Sequence, residues 1–372
     1  MIRVLQMIGS LGVGGSQTMI MNIYRNIDRS KMQFDFVLDR STPYHTVFKE
    51  EAESLGAKIY TMPLFNGANA AQVKREWDNF FYLHPEYKVL HSHVRSYASL
   101  YLPVAKKHGV KTIIHSHSTS NGSGPAAMAK NAMQYPLKKQ ADILMSCSTE
   151  AGLWLFGEKA CKSDKYVFLP NAVDIERFTF NEEKRNAMRK KLGLEGRFVV
   201  GHVGRFMEDK NHVFLVEAFA KLHEKRPESK LILVGSGEGE LQRTVAMKAV
   251  ELGVAEDVIL TGNRNDVPEL LWAMDVFAFP SLREGLPATV IEAQAAGLPC
   301  LVSEAVTKDV AISPLVKRLP IDSTQLWAEE MLKAGPRQDV SEYIRKAGFD
   351  VKASAQQLYE LYVKLHKEAK AK

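Results

Sequence analysis

Cysteine is scarce in this chain. Its 372 residues hold three, Cys147, Cys161 and Cys300, widely spaced and without a C-x-x-C. That argues against a disulfide framework and a cysteine-ligated zinc site, and fits a reducing compartment. Long apolar runs are missing too. Residues 4–24 come nearest, being uncharged, but they hold four glycines, Ser10, Ser16, two glutamines and Asn22, with no small-residue cleavage site. This is neither a signal peptide nor a membrane span. Repeats of 20–50 residues and low-complexity tracts are also absent. A cytoplasmic protein is expected, at most peripheral to the inner face of a membrane.

What is present has the balance of a soluble globular chain, 45% hydrophobic and 25% charged. The length suits two domains of α/β size. Charge is uneven. Residues 1–170 carry 20 Lys/Arg against 13 Asp/Glu, and residues 171–372 carry 29 against 30. A basic first half could face anionic lipid, an anionic acceptor or nucleic acid, or be a solvated lysine-rich surface. No nucleic-acid motif accompanies it, so no nucleic-acid partner is expected.

Short β-rich runs (RVLQMI, QFDFVL, AKIYTM, YKVLHS, KTIIHS, ADILMS, KYVFLP) alternate with amphipathic segments such as 43–55 and 96–108. Continuous apolar strands alternating with helices imply a parallel sheet covered on both faces. The pattern stops over the polar stretch 171–197, which reads as a linker with a short helix. It restarts with FVVGHVG, KLILVG, DVILTG, DVFAFPS and PCLVS. Two Rossmann-like domains are predicted, with ligands outside the carboxyl ends of their strands. The final helical run, 341–370, sets lysines on one side and Leu358, Leu361, Tyr362 and Leu365 on the other.

Those strand ends carry the informative residues. GSLGVGGSQ follows the first strand with glycines at 9, 12, 14 and 15. Its G-x-x-G-x-G-G spacing is not the G-x-G-x-x-G of a dinucleotide site, although Asp39 could close such a site. A different anion or sugar fits this segment better, with a purely structural turn as the next reading. In FAFPSLREGLPATVIEAQAAGLP, Glu284 precedes a helix begun by Pro287, and Glu292 lies within it, about 10 Å further along the axis. Two carboxylates flanking the free N–H groups of Leu286 to Val290 can hold a sugar nucleotide: hydroxyls at one end, diphosphate on the helix start, ribose at the other. In GHVGRFMEDKNH, Gly204 permits close approach, and the Arg205 fork and Lys210 point charge suit a leaving diphosphate. Each of these charges taken singly reads as ordinary surface.

Taken together, GSLGVGG, GRF-x3-KN, VGSGEGE and EGLP-x4-E resemble the family-4 retaining glycosyltransferases of GT-B fold, over about residues 2–365. LPNAVDIERF at 169–178 is similar to that family's (I/L)PNGVD-x2-xF signature, with Ala172 in place of the common glycine. Within the family the chain most resembles capsular and exopolysaccharide assembly enzymes.

The resemblance implies an α/β GT-B fold, two Rossmann-like domains facing each other across a deep cleft. Residues 1–170 would be the acceptor-side domain, with the helix 350–372 packing back on it. Residues 171–197 would be the linker, and 198–349 the nucleotide-sugar domain. Glu284 would hold hydroxyls of the donor sugar and Glu292 those of the ribose. Arg205 and Lys210 would neutralise the diphosphate beside Gly204, helped by the loop and helix start through Gly285, Leu286, Pro287, Thr289 and Val290. The turn at Asn263–Arg264 would take the base, and Gly14 and Gly15 would approach the phosphates.

The two H-x-H pairs follow first-domain strands. His115 best matches the family's histidine beside the donor sugar, with His117 its nearest competitor. His91 and His93 would shape the acceptor side or bond locally. A zinc site on them lacks an additional carboxylate or cysteine cluster nearby. The chain has no D-x-D, so the usual metal site of the other large glycosyltransferase fold is missing. No metal and no cofactor is expected.

The expected partners are a nucleotide sugar, most simply UDP-linked, and a glycan or polyprenyl-diphosphate-linked acceptor. The segment 128–142, with Lys130, Lys138 and Lys139, could rest on an anionic membrane surface. Two rival functions share these features: a GT-B-fold sugar-nucleotide epimerase, and a non-catalytic sugar-nucleotide-binding partner.

Overall fold

The computed structural model describes residues 1–12, 14–40, 47–120, 122, 124–237, 239–284 and 286–371. Gly285 and Glu238, both part of motifs noted above, lie outside the described residues. Two compact units form: Met1–Ala172 with Gly348–Lys372, and Val173–Ala347. Among the described residues no helix is long and apolar enough to cross a membrane.

The first unit is built on seven parallel strands. These are β1 (Ile2–Gly9), β2 (Met32–Asp39), β3 (Ile59–Met62), β4 (Val89–Ser92), β5 (Lys111–Ser116), β6 (Ile143–Ser146) and β7 (Tyr166–Phe168), in the order β3-β2-β1-β4-β5-β6-β7. Successive side chains of a strand point to opposite faces. Val4 and Ile8 therefore join Ile20 and Tyr24 on one face, while Leu5 and Met7 join Trp77 and Tyr101 on the other. Gln6 falls on the first face and is fully buried there.

That face is closed by the C-terminal helix, Val351–Lys370. Val351, Leu358, Tyr362 and Leu365 recur at helical spacing and are at most 2% exposed. Burying each such side chain stabilises by about 1.5–3 kcal/mol. The Asp350 carboxylate caps the helix by accepting from the Lys352 N–H.

The second unit has six parallel strands: β8 (Phe198–Val203), β9 (Ser229–Val234), β10 (Val258–Gly262), β11 (Val276–Phe279), β12 (Cys300–Ser303) and β13 (Val316–Leu319), in the order β10-β9-β8-β11-β12-β13. The sequence pattern does not announce β13, because Lys317 and Arg318 interrupt its apolar run. As an edge strand it tolerates those charges. The stretch 171–197, expected as linker, carries two helices, Ile175–Phe178 and Glu182–Lys191, and belongs to this unit from Val173 onward. It is tied down by the Trp272 Nε1–H, which donates to the Phe178 carbonyl at 2.8 Å, and by Arg185 and Arg189 on Asp275.

In each sheet the order reverses beside the first strand, so β1 lies next to β4 and β8 next to β11. Ligands of such sheets bind outside the carboxyl ends at this switch point. The loops after β1, β4, β8 and β11 are therefore the ones to follow.

Candidate active site

In the second unit, β8 ends at Val203 and the chain passes close over His202. A Cβ at Gly204 would lie 2.8 Å from the His202 Nε2, so only glycine fits without a shift. Arg205 is exposed and makes no ion pair among the described residues. Phe206 turns inward and stacks on His212, with centroids 4.2 Å apart and planes at 11°. The next turn brings Lys210 back to the sheet. Its ammonium lies 4.8 Å from the centre of the Phe279 ring at the end of β11 and hydrogen-bonds the Glu284 carboxylate. A Leu282 N–H donated to the Asp209 carbonyl at 2.7 Å ties the two loops together. The structure therefore brings Lys210 and Glu284 into one ion pair, with Arg205 unpaired nearby in sequence.

The helix after this loop runs Ala288–Ala295, with Pro287 as its cap. The proposed row of free amides from Leu286 to Val290 needs correcting. Pro287 has no N–H, and Val290 donates its own to the Pro287 carbonyl at 3.1 Å. Ala288 and Thr289 are the first two helical residues, whose N–H groups precede any acceptor within the helix. Glu292 is half-buried on this helix. Burial pushes its carboxyl up to about 7, with the Arg177 guanidinium opposing the shift.

Asn263 is exposed beyond β10. Arg264 forks onto Asp266, with Nε–Oδ1 at 2.7 Å and Nη2–Oδ2 at 2.5 Å, and holds that carboxyl below its usual range. Its charge is thus spent on stiffening the turn. Beside the turn lies an open groove of about 860 Å³, lined among others by Arg177, Lys184, Asp266 and Trp272. Arg177 donates to the Asn265 carbonyl at 3.4 Å.

In the first unit, Gly9 is the glycine of the opening loop that needs positive φ, at 79°. Gly14 is extended, at φ −163°. A Cβ there would meet only the Gln17 side chain, and one at Gly15 would meet nothing within 4 Å. Among the described residues nothing crowds Gly15.

The four histidines form one connected array. An H-x-H pair places both rings on one face of a strand, and adjacent β4 and β5 bring the two pairs together. His91 Nδ1 lies 2.6 Å from the Tyr362 hydroxyl, and His91 Nε2 lies 3.2 Å from His115 Nδ1. His93 Nε2 lies 3.1 Å from Gln6 Oε1, and His93 Nδ1 lies 2.9 Å from His117 Nε2. Gln6 Nε2 donates to the Tyr362 hydroxyl at 3.0 Å and joins the two arms. Burial depresses all four imidazoles, His93 to about 3 and the others well below their usual value. They are neutral rings at any physiological pH.

His91, His93 and His115 offer ring nitrogens that lie within 4.8 Å of one another, a geometry that could hold an ion. Both ring nitrogens of His91 and of His93 are committed to hydrogen bonds, as is His115 Nδ1. His91 and His93 are internal connectors, whereas His115 Nε2 and His117 Nδ1 are buried without a partner among the described residues. Gln6, Tyr362 and Arg177 escaped the sequence reading. Gln6 left one signal, a polar residue inside the apolar strand RVLQMI. Tyr362 looks like any other apolar-face residue of a helix.

The chain matches a family model described as Glycosyl transferases group 1 over residues 184–348, and one described as Glycosyltransferase Family 4 over residues 13–177. It is 32% identical to a Bacillus subtilis (strain 168) protein named as a glycosyltransferase, EpsF, over 97% of this chain and 96% of that one. It is 31% identical to the UDP-Gal:α-D-GlcNAc-diphosphoundecaprenol α-1,3-galactosyltransferase of Escherichia coli, over 59% of this chain and 58% of the relative. Among solved structures, Anabaena Alr3699/HepE in complex with UDP-glucose superposes with a TM-score of 0.73 at 17% identity, covering 100% of this chain and 99% of that one.

Proposed function

For a chain that belongs to the family-4 glycosyltransferases of GT-B fold, we propose a retaining, metal-independent transfer of sugar from a UDP-sugar to a lipid-linked or glycan acceptor in exopolysaccharide or capsule synthesis. The observation that carries it is the Lys210–Glu284 pair at the switch point of the second sheet, with Arg205 and Glu292 on the neighbouring elements. When the donor arrives, Lys210 exchanges Glu284 for phosphate oxygens, and the freed Glu284 carboxylate accepts from sugar hydroxyls. Arg205, exposed and unpaired among the described residues, adds a planar fork to the same diphosphate. Glu292 accepts from the ribose hydroxyls. Developing negative charge on the leaving UDP thus meets fixed cations, the role a metal plays elsewhere. The acceptor attacks from the face that the diphosphate leaves, since no nucleophilic carboxylate stands out in the first unit.

Support for UDP comes from the relatives: the HepE complex holds UDP-glucose, and the E. coli enzyme is named for a UDP-Gal donor and a diphosphoundecaprenol-linked acceptor. EpsF, similar over almost its whole length, is itself named a glycosyltransferase and supports the transferase reading. The test is a panel of UDP- and GDP-sugars scored by thermal shift, followed by transfer to a lipid-diphosphate-linked sugar with EDTA present. A tight donor raises stability by mass action. Release of UDP that requires the acceptor, with an α-linked product from an α-linked donor, is the expected result. Conversion of the sugar nucleotide without acceptor would favour an epimerase. Binding with no turnover on any acceptor would favour a non-catalytic partner.

A further inference from the structure

The amino-end edge of the second sheet carries a groove of about 720 Å³, lined by Arg185, Arg189, Arg197, Arg226 and Arg337 against a single acid, Asp275. Arg197 stands just before β8 and Asp275 just before β11, while Arg226 caps the helix His212–Lys225 ahead of β9. These strands are parallel, so this edge lies opposite the one that carries Lys210 and Glu284. The whole groove belongs to the second unit. We propose that it is a separate binding site for a soluble oligophosphate, read through its phosphate groups. This inference stands apart from the transferase reading.

The arginines outnumber their counter-ions. Arg185 Nη2 lies 2.6 Å from Asp275 Oδ1 and Arg189 Nη1 lies 3.2 Å from Oδ2, so two guanidiniums share one carboxylate. Asp275 Oδ2 also accepts the Val199 N–H at 2.8 Å, which leaves little for a third cation. Arg337 donates to the carbonyls of Leu271, Trp272, Met274 and Ala296. These carbonyls close the helices Val267–Ala273 and Ala288–Ala295, whose dipoles suit a cation there but bring no full charge. Burial, and next the Arg185 cation, push Arg337 down to about 9. Arg226 spends Nε on Glu228 at 2.8 Å. Its Nη atoms and the whole exposed Arg197 fork make no hydrogen bond among the described residues. With Glu228 counted beside Asp275, a surplus of three positive charges remains.

That surplus selects the ligand. Guanidinium forks fit phosphate oxygens bidentately, and a chain of two or three phosphates carries enough negative charge to match it, as one carboxylate does not. The groove has the size of a small-molecule site. Phe198 is the aromatic ring of the lining, and the Arg226 guanidinium covers it, 4.1 Å from the ring centre. No ring in the lining is left to stack on a base. The rim is formed by Gly196, Ala334, Gly335 and Pro336, without a large apolar side chain to enter a bilayer. Phosphates held here would bridge the helix Glu182–Lys191, early in the unit, to the segment 334–337 near its end.

Hydrogen exchange on the full chain, read by mass spectrometry while sodium tripolyphosphate is titrated, tests the site. Protection is expected over 182–197 and 334–337, with a higher melting temperature by mass action. Orthophosphate should need a far higher concentration, and sulfate at the same ionic strength should give neither effect. The tripolyphosphate concentration for half-protection over 182–197 should rise about 10-fold in Arg197→Ala and in Arg226→Gln, the scale of losing a hydrogen bond to a charged group. Arg197 is exposed, so its variant should melt like wild type without ligand. ATP should bind no tighter than tripolyphosphate, and vesicles of phosphatidic acid should leave both segments unprotected. No protection by tripolyphosphate, equal protection by sulfate, protection confined to 204–210 and 282–284, or half-protection unchanged in both variants would overturn the proposal. Much tighter binding of ATP, or protection by the vesicles alone, would overturn the choice of ligand. None of these readouts requires UDP to bind, so the transferase reading stands or falls separately.

Discussion

Lys210 and Glu284, 74 positions apart in sequence, are joined by a hydrogen-bonded ion pair. β8 and β11 are neighbours in the sheet, and the loops after them converge on its carboxyl edge. Both side chains are more than four-fifths buried. On the proposed roles, the cation for the diphosphate and the anion for the sugar hold each other ready, which would limit the reorganisation needed when the donor binds.

Lys210→Ala and Arg205→Ala should each lower turnover about 100-fold or more, the usual scale for removing a group that stabilises developing charge. Their effects on stability should differ. Arg205 is exposed, so its loss should stay within about 0.5 kcal/mol. Loss of Lys210 strands a largely buried Glu284 and should lower the melting temperature visibly. Steady-state kinetics with and without EDTA, beside thermal melts, check this. Activity abolished by EDTA and restored by manganese would contradict the metal-independent reading.

On its proposed role at the ribose, the raised carboxyl of Glu292 should make donor binding pH-dependent. Ribose hydroxyls donate to the ionised form, so UDP-glucose affinity should rise between pH 6 and 8, through the value of about 7. Glu292→Gln should flatten that profile. Arg177→Ala removes the charge that favours ionisation and should move the profile to higher pH. Stability runs the other way. The folded chain holds this proton more tightly than the unfolded one, so the carboxyl's contribution is lost as pH rises from about 4.5 to about 7. Calorimetric titration across this range gives the answer, and a flat wild-type profile would refute the assignment.

The two carboxylates should separate by ligand. Glu292→Gln should weaken UDP and UDP-sugar alike. Glu284→Gln should spare UDP while weakening the UDP-sugar and reducing turnover. Equal losses of UDP affinity in both variants would mean that their roles are misassigned.

The helix Pro125–Gln134 and the turn after it present Met128 (72% exposed) and Tyr135 (69% exposed), with the Lys138 ammonium 4.8 Å from the Tyr135 ring centre. Leu137 is buried and Met133 packs inward, so a membrane-facing surface can use only the first two apolar groups with Lys130, Lys138 and Lys139. Each lysine near an anionic surface adds about 1 kcal/mol. Wild type should sediment with anionic vesicles at low salt and be released at high salt, while a Lys130/Lys138/Lys139→Ser variant should stay in solution. Equal pelleting would remove this segment as the docking surface.

Much of the site was legible because its groups belong to contiguous motifs. Glu284 and Glu292 share one loop and helix, and Arg205 and Lys210 share one strand end. The amide row was misjudged at Pro287 and Val290, since a capping turn consumes a donor that a helix drawn from sequence leaves free. The stretch 171–197 reads as linker because it is polar overall, while Phe178, Arg185 and Arg189 anchor it to Trp272, Ala273, Met274 and Asp275.

By itself the sequence determined the two parallel sheets, because buried parallel strands must be continuously apolar and their crossovers must be helical. It also determined which strand ends carry charge and glycine. Only the tertiary structure decided who meets whom. Strand order places Lys210 on Glu284, and Gln6 beside His91 across β1 and β4. The return of the C-terminal helix then sets the Tyr362 hydroxyl against a histidine 271 positions earlier. Periodicity tells a side chain which face to occupy, but not which polar group awaits it there.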